Sequence, residues 1–113
     1  MATSPTQLSL KLMKERGYKC EITERWNPFA RIRQDLFGFI DVLCLGDGEI
    51  IGVQTTTANN MSARVKKIRE HDNLLPALDS GMRVLVHGWQ KNKSNRWEVK
   101  ESEIKFTAPD ETV

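Results

Sequence analysis

The sequence lacks the short motifs that mark many enzyme classes. It has no Walker phosphate-binding loop and no GxGxxG, GxSxG or HExxH pattern. Its two cysteines, Cys20 and Cys44, are too few for a disulfide scaffold or a zinc cluster. They are expected to be buried thiols in a reducing compartment. The usual nucleotide-binding, hydrolase and zinc-enzyme signatures are therefore excluded.

Long apolar segments are also missing. No run approaches the roughly 18 apolar residues of a membrane span, so no membrane association is expected. The first 17 residues place charges where a signal peptide would have its apolar core, so secretion is not expected. These two absences predict a cytoplasmic location.

What the sequence does contain fits one ordinary domain. The 113 residues are 39% hydrophobic and 28% charged, which is enough for one modest core. We expect a single domain over residues 1–106 and a loose tail over residues 107–113. The net charge of +2 does not mark a strong polyanion binder, so only the distribution of charge could indicate one.

Hydrophobic periodicity predicts an α/β fold. Helices are expected over residues 4–16 and 62–71, the second continuing towards residue 78 with a bend near Pro76. Strands are expected over residues 18–25, 37–45, 49–55, 82–90 and 96–106, and a polar, mostly basic loop over residues 31–35. A helix between the third and fourth strands requires a crossover connection. The prediction is a mixed central sheet of about five strands flanked by helices.

Asp41 is the only charge in the most apolar segment, FGFIDVLCL. An unpaired buried carboxylate costs several kcal/mol, so this side chain needs a partner, a metal ion or solvent. A solvent-facing position on an edge strand is one interpretation. A salt bridge to Arg31 or Arg33 is another, and metal binding is the third.

The next strand supplies further oxygen ligands. Asp41 lies six positions before Asp47 in the predicted turn and Gln54 lies seven positions after it, so the two could be cross-strand neighbours. Thr56 lies two residues beyond Gln54 and shares its face. Carboxylate, amide and hydroxyl oxygens at one sheet edge suit a hard divalent cation such as Mg²⁺ or Mn²⁺.

These residues resemble the PD-(D/E)XK nuclease core, and within it the Holliday-junction-resolvase-like and VRR-NUC branches. The matching pieces are Gly17-Tyr18, Gly38-Phe39-Ile40-Asp41 and Gln54-Thr55-Thr56, and the likeness spans roughly residues 4–90. The resemblance implies a restriction-endonuclease-like fold and a resolvase-like, metal-dependent nuclease. Asp41 and Gln54 would hold the metal near the scissile phosphate of a nucleic acid, DNA in particular, and a homodimer is expected from the relatives.

The sequence departs from the family at charged positions. Gln54 stands at the middle acidic position, Thr56 at the lysine position, and the family's helical glutamate falls near Gln7. The missing cation could be replaced by Lys67, with Lys66 beside it, or by Lys91, or these lysines could be ordinary surface residues. A nuclease, an inactive nucleic-acid-binding module on the same fold and a protein-interaction domain all remain open.

Basic residues flank the acidic segment on both sides. Residues 35–55 carry four acidic and no basic side chains, whereas residues 64–69 carry four basic and no acidic ones. Phosphate contacts are the usual task of such arginines and lysines. The predicted nucleic-acid-binding residues are Arg31, Arg33, Arg64 and Lys66.

Overall fold

A computed structural model describes residues 3–105. The predicted tail over residues 107–113 lies outside the described residues. The helices and strands of the described residues are α1 (Pro5–Glu15), β1 (Lys19–Ile22), β2 (Arg25–Asn27), β3 (Ile32–Gln34), β4 (Val42–Gly46), β5 (Glu49–Thr57), a 3₁₀ turn (Ala58–Asn60), α2 (Met61–Arg69), α3 (Leu74–Asp79), β6 (Met82–Lys91) and β7 (Trp97–Ile104). No helix within residues 3–105 has the length and hydrophobicity of a membrane span.

The centre of the fold is a mixed five-stranded sheet in the order β1-β4-β5-β6-β7. Strands β5 and β6 are parallel, and the other three neighbouring pairs are antiparallel. A parallel pair needs a crossover connection, and α2 and α3 supply it. The predicted α/β class and mixed sheet are confirmed.

Helices cover both faces of the sheet and create two apolar cores. The α1 face buries Met13 against Val42, Ile51 and Val53. The opposite face packs the residues of α2, α3 and the β3–β4 connection, with Phe39 and Ile40 deeply buried. Asp41, directly before β4, and Gln54, on β5, therefore lie between two packed layers.

Helix α1 begins and ends as the sequence predicts, but its buried face is different. Ser4 caps it by accepting a hydrogen bond from the Gln7 backbone N–H, and Gly17 ends it with a positive φ of 98°. Its buried residues are Thr6, Ser9 and Met13. Leu8, Leu12 and Met13 predict an apolar stripe on this helix. Met13 is buried, but Leu8 and Leu12 are only half-buried, and Thr6 and Ser9 are buried because they find polar partners inside the fold.

Ser9 is the centre of a buried polar group, here called the Ser9 cluster. Its Oγ lies 2.8 Å from His87 Nδ1 and accepts a hydrogen bond of 2.8 Å from Trp89 Nε1. His87 Nε2 lies 2.7 Å from a Glu101 carboxylate oxygen, which also pairs with Arg16. Burial lowers the pKa of the His87 imidazole. The Ser9 cluster ties α1 to β6 and β7.

The sequence predicts a polar loop over residues 31–35, but the segment between β1 and β4 contains two further strands. The expected strand over residues 18–25 ends at Ile22, and β2 and β3 form a separate antiparallel hairpin that pairs Trp26 with Arg33. The sequence pattern does not predict these strands, because Pro28 interrupts the segment and most of the side chains are exposed, so burial does not alternate. This β2–β3 hairpin is an additional two-stranded sheet.

Strand β4 is shorter than the predicted 37–45. Phe37 and Gly38 both have positive φ values, 56° and 91°, and an isolated bridge joins Leu36 to Ile40. A tight turn therefore precedes the strand, and Asp41 follows this turn. Most other predicted boundaries hold within two residues, although the second helix divides into α2 and α3.

The two cysteines are buried free thiols, as the sequence predicts. Cys20 on β1 lies directly opposite Cys44 on β4. Burial is the main cause that raises the pKa of the Cys44 thiol. The pair packs in the core on the α1 side and takes no part in the site described below.

Candidate functional site

A polar cleft of about 720 Å³ opens at the end of β4 where the β2–β3 hairpin meets the central sheet. Three acidic and three basic side chains line it, together with uncharged polar ones from α1 and β5. The charged residues are Glu24, Asp35, Asp41, Arg33, Arg64 and Lys67. A buried acidic group facing an open cleft edged by cations is an arrangement suited to binding a metal ion and an anion together.

Asp41 and Gln54 are the cross-strand neighbours that the turn spacing predicts. The β4–β5 register pairs Val42 with Val53, and the Asp41 backbone N–H donates to the Val53 carbonyl at 2.8 Å. The Gln54 amide nitrogen donates a hydrogen bond to Asp41 Oδ2. Gln54 therefore positions the carboxylate, while ligation of a metal by its carbonyl oxygen stays a prediction.

Thr55 also binds this carboxylate. Its backbone N–H donates to Asp41 Oδ2 at 2.8 Å and its hydroxyl lies 3.2 Å from the same oxygen. The hydroxyl lies 2.8 Å from Thr6 Oγ1, which connects the site to α1. The donors of Gln54 and Thr55 therefore both bind Asp41 Oδ2.

Asp41 is almost completely buried, with 2% of its surface exposed. Burial is the main cause that raises its pKa from 3.8 to about 7, and the Asp35 carboxyl beside it raises the pKa further. The donors of Thr55 and Gln54 act in the opposite direction. The burial of this carboxylate excludes the solvent-facing interpretation of Asp41.

Two acidic residues that sequence reasoning missed complete the group. Glu24 precedes β2 and Asp35 follows β3, so the hairpin register that pairs Arg25 with Gln34 brings them together at its base. One oxygen from each of Glu24, Asp35 and Asp41 lies within 4.8 Å of the others. These three carboxylates could hold a metal ion, since hard divalent cations bind such oxygen ligands. The only signal in the sequence was their position on either side of the unrecognised hairpin.

The cations of the cleft differ in what they contact. Arg33 Nη1 forms a 2.8 Å salt bridge with Glu24 Oε1, so it does not pair with Asp41 as one interpretation proposed. Arg64 and Lys67 lie on α2 and line the same cleft. Helical residues three positions apart share one face, which is why both reach it. Three predicted residues, Arg33, Arg64 and Lys67, thus lie together with Asp41.

Other predicted site residues lie elsewhere. Thr56 is buried opposite Gly88 of β6 and is not among the residues lining the cleft, whereas its neighbour Thr55 is. Lys91 lies at the end of β6, with its ammonium 5.2 Å from the Trp97 ring centre. Neither side chain lines the cleft with Asp41.

Arg31 and Lys66 are exposed and are likewise not part of the cleft lining. Arg31 lies in the turn of the β2–β3 hairpin with a positive φ of 56°. Lys66 lies on α2, one residue before Lys67, and a helix turns neighbouring residues in different directions. Nucleic-acid contacts by these two residues stay a prediction.

Comparisons with known proteins indicate no function for the chain, so its function is inferred from this geometry. The chain matches no family model, no curated protein and no solved structure.

Proposed function

We propose that this protein is a metal-dependent phosphodiesterase that hydrolyses nucleic acid, DNA in particular, in the cleft around Asp41. The observation that carries the proposal is the convergence of Glu24, Asp35 and Asp41 within 4.8 Å in a cleft that also presents arginine and lysine side chains. Phosphodiester cleavage needs both kinds of group, because the substrate is an anion and its reaction adds further negative charge.

The donor set fits a divalent cation. Carboxylates this close repel one another, and burial together with the neighbouring Asp35 carboxyl raises the pKa of Asp41. A bound cation would favour the charged form of Asp41. Glu24, Asp35 and Asp41 would hold Mg²⁺ or Mn²⁺, which prefer oxygen ligands. When bound, such an ion polarises a phosphoryl oxygen and lowers the pKa of a bound water.

Residues of the chain itself would bind and orient the substrate. Lys67 and Arg64 extend from α2 into the cleft, where their charges are available to the phosphate oxygens. Lys67 takes the role of the lysine that the PD-(D/E)XK motif lacks here, stabilising charge on the phosphate during transfer. Gln54 and Thr55 hold Asp41 in a fixed orientation through Oδ2.

The fold supports the resemblance that first indicated this function. Asp41 directly precedes β4, and a turn connects β4 to β5, which carries Gln54-Thr55-Thr56 near its end. The two strands are adjacent in a mixed sheet, with helices before and after them. The structure adds two carboxylates that the motif alone did not contain. With them the site has three formal negative charges instead of the single one expected from Asp41.

The first experiment measures metal binding and cleavage together. Calorimetry with Mn²⁺ and incubation with branched, single-stranded and duplex DNA would compare the native protein with Asp41→Asn. The matched control is Asp47→Asn, the same change at an exposed turn residue whose positive φ asparagine tolerates. We expect Asp41→Asn to lose both activities and Asp47→Asn to keep them. Unchanged metal binding in a folded Asp41→Asn protein would exclude this site.

An inactive nucleic-acid-binding module is the second candidate. Thr56 cannot supply the motif's cation, and Arg33 already engages one oxygen of Glu24. Under this alternative the protein binds Mn²⁺ and DNA but cleaves none of the three substrates. Absence of DNA binding at low salt would favour the third possibility, a protein-interaction domain.

A further inference from the structure

The β2–β3 hairpin exposes large apolar side chains beside the cleft. Phe29 at its tip is 97% exposed, Trp26 on β2 is 59% exposed and Ile32 on β3 is 50% exposed. Neither strand pairs with the five-stranded sheet. Single exposed apolar residues are common, but several on one projecting element mark an interaction surface.

The hairpin register places Trp26 on the same face as a residue that lines the cleft. Trp26 pairs directly with Arg33, and residues opposite each other in an antiparallel pair share a face. Arg33 lines the cleft and contacts Glu24. The Trp26 ring therefore lies on the side of the hairpin that borders the cleft.

Hydrogen bonds fix the tip in a defined shape. Asn27 Oδ1 accepts hydrogen bonds from the backbone N–H groups of Phe29 and Ala30, at 2.9 and 3.1 Å. The Asn27 carbonyl accepts a further one from Arg31 N–H at 2.8 Å. This turn holds the Phe29 ring out in solvent, where nothing within residues 3–105 covers it.

The charge on the hairpin indicates what covers these rings. Residues 25–34, RWNPFARIRQ, contain three arginines and no acidic residue. Aromatic rings interleaved with arginines bind single-stranded nucleic acid, because bases stack on the rings and phosphates pair with the guanidinium groups. A second copy of the chain is a poorer match, since a two-fold interface would bring identical arginine-rich surfaces together.

We propose that the β2–β3 hairpin binds unpaired nucleotides, which stack on Trp26 and Phe29 while Arg31 contacts their phosphates. The hairpin then directs the strand towards the cleft, so the substrate class is nucleic acid with a single-stranded segment beside the bond that is cut. The direction towards a cut site rests on the proposed function, whereas binding by the hairpin itself does not.

The test is binding without metal, which separates the hairpin from the carboxylates. Fluorescence anisotropy in EDTA would measure the affinity for a labelled oligothymidine of about 20 nucleotides and for a duplex of the same length, long enough for several stacked bases. The variants are Trp26→Ala and Phe29→Ala. Trp97→Ala is the matched control, because Trp97 is also partly exposed, at 41%, but lies on β7.

We expect each hairpin substitution to weaken single-strand binding by about tenfold or more, as the loss of one stacked base does. The control should stay within about twofold. Quenching of tryptophan fluorescence by the oligonucleotide provides a second measurement. It should persist in Trp97→Ala and disappear in Trp26→Ala.

Two results would overturn the hairpin proposal. One is a single-strand affinity that is the same in the native protein and in both hairpin variants. A native protein that binds no oligonucleotide at low salt would overturn the proposal in the same way. The other is a native dimer that becomes monomeric in Trp26→Ala, which would identify a second copy as the occupant. Loss of metal binding or of cleavage would count against the proposed function and not against the hairpin proposal. An Asp41→Asn protein that still binds the oligonucleotide through Trp26 would support the hairpin proposal independently.

Discussion

Replacing Asp41 by asparagine should make the metal-free protein more stable at neutral pH. The carboxylate is buried and lies beside Asp35, so the folded state disfavours its charged form. Asparagine has nearly the same shape, carries no charge and keeps an oxygen that accepts the hydrogen bonds of Gln54 and Thr55. The substitution therefore removes the electrostatic cost and preserves the packing.

The sign and size follow from the shifted pKa. The pKa of Asp41 rises from 3.8 to about 7 on folding, so the folded state holds a proton that the unfolded state releases between these values. The stability of the native protein therefore falls as pH rises from about 4 to 7 and then levels off. A shift from 3.8 to about 7 corresponds to an upper limit of about 4 kcal/mol at pH 8.

Urea denaturation at pH 4, pH 5.5 and pH 8 would measure this effect. We expect Asp41→Asn to gain about 2–4 kcal/mol over the native protein at about pH 8 and to differ little at about pH 4. Asp47→Asn should follow the native protein at every pH. A variant no more stable than the native chain at pH 8, or a gain that is the same at pH 4, would refute the electrostatic reasoning.

Metal should reduce this difference in stability. A cation bound only to the folded state at a concentration of about 100 times its dissociation constant adds about 2.7 kcal/mol. Mn²⁺ should therefore stabilise the native protein and leave Asp41→Asn unchanged. Equal stabilisation of both proteins would place the ion somewhere other than at Asp41.

Three further substitutions test neighbouring parts of the molecule. Lys67→Met should lower any cleavage rate by about a hundredfold in single-turnover assays, while Lys66→Met on the same helix should not; equal rates would remove Lys67 from the site. Gly38→Ala should cost about 2 kcal/mol of unfolding free energy and weaken Mn²⁺ binding, because Gly38 has a positive φ and a Cβ there would collide with the His71 ring. Ser9→Ala should cost about 2–3 kcal/mol in urea denaturation, since it leaves two buried ring nitrogens of the Ser9 cluster without their partner; a neutral effect would show that the site relaxes.

The part of the site that depends on local structure was predictable. A short turn at residues 46–48 sets the register of β4 against β5, and counting from it places Asp41 opposite Gln54. The helix boundaries at Ser4 and Gly17 followed from capping preferences in the same way. In each case the interacting residues are close in sequence, so the chain geometry leaves few alternatives.

The acidic group could not be predicted, because it depends on contacts between separate elements. Glu24 and Asp35 meet only because β2 pairs with β3, and they reach Asp41 only because a turn with positive φ at Phe37 and Gly38 brings the chain back into β4. The hairpin shows no alternation of buried and exposed residues, because most of its side chains are exposed. Periodicity therefore gave no signal for it.

The sequence alone determined the α/β class, the β4–β5 pairing and the charged residue that needed an explanation, because burial patterns and turn lengths act over short stretches of chain. Only the tertiary structure decided which other charges join Asp41. The crossover from β5 to β6 carries Arg64 and Lys67 to the cleft, whereas Lys91, at the C-terminal end of β6, lies against Trp97 of β7 and does not line the cleft. The direction of that crossover and the position of the hairpin are set by packing on both faces of the sheet, which no local pattern contains.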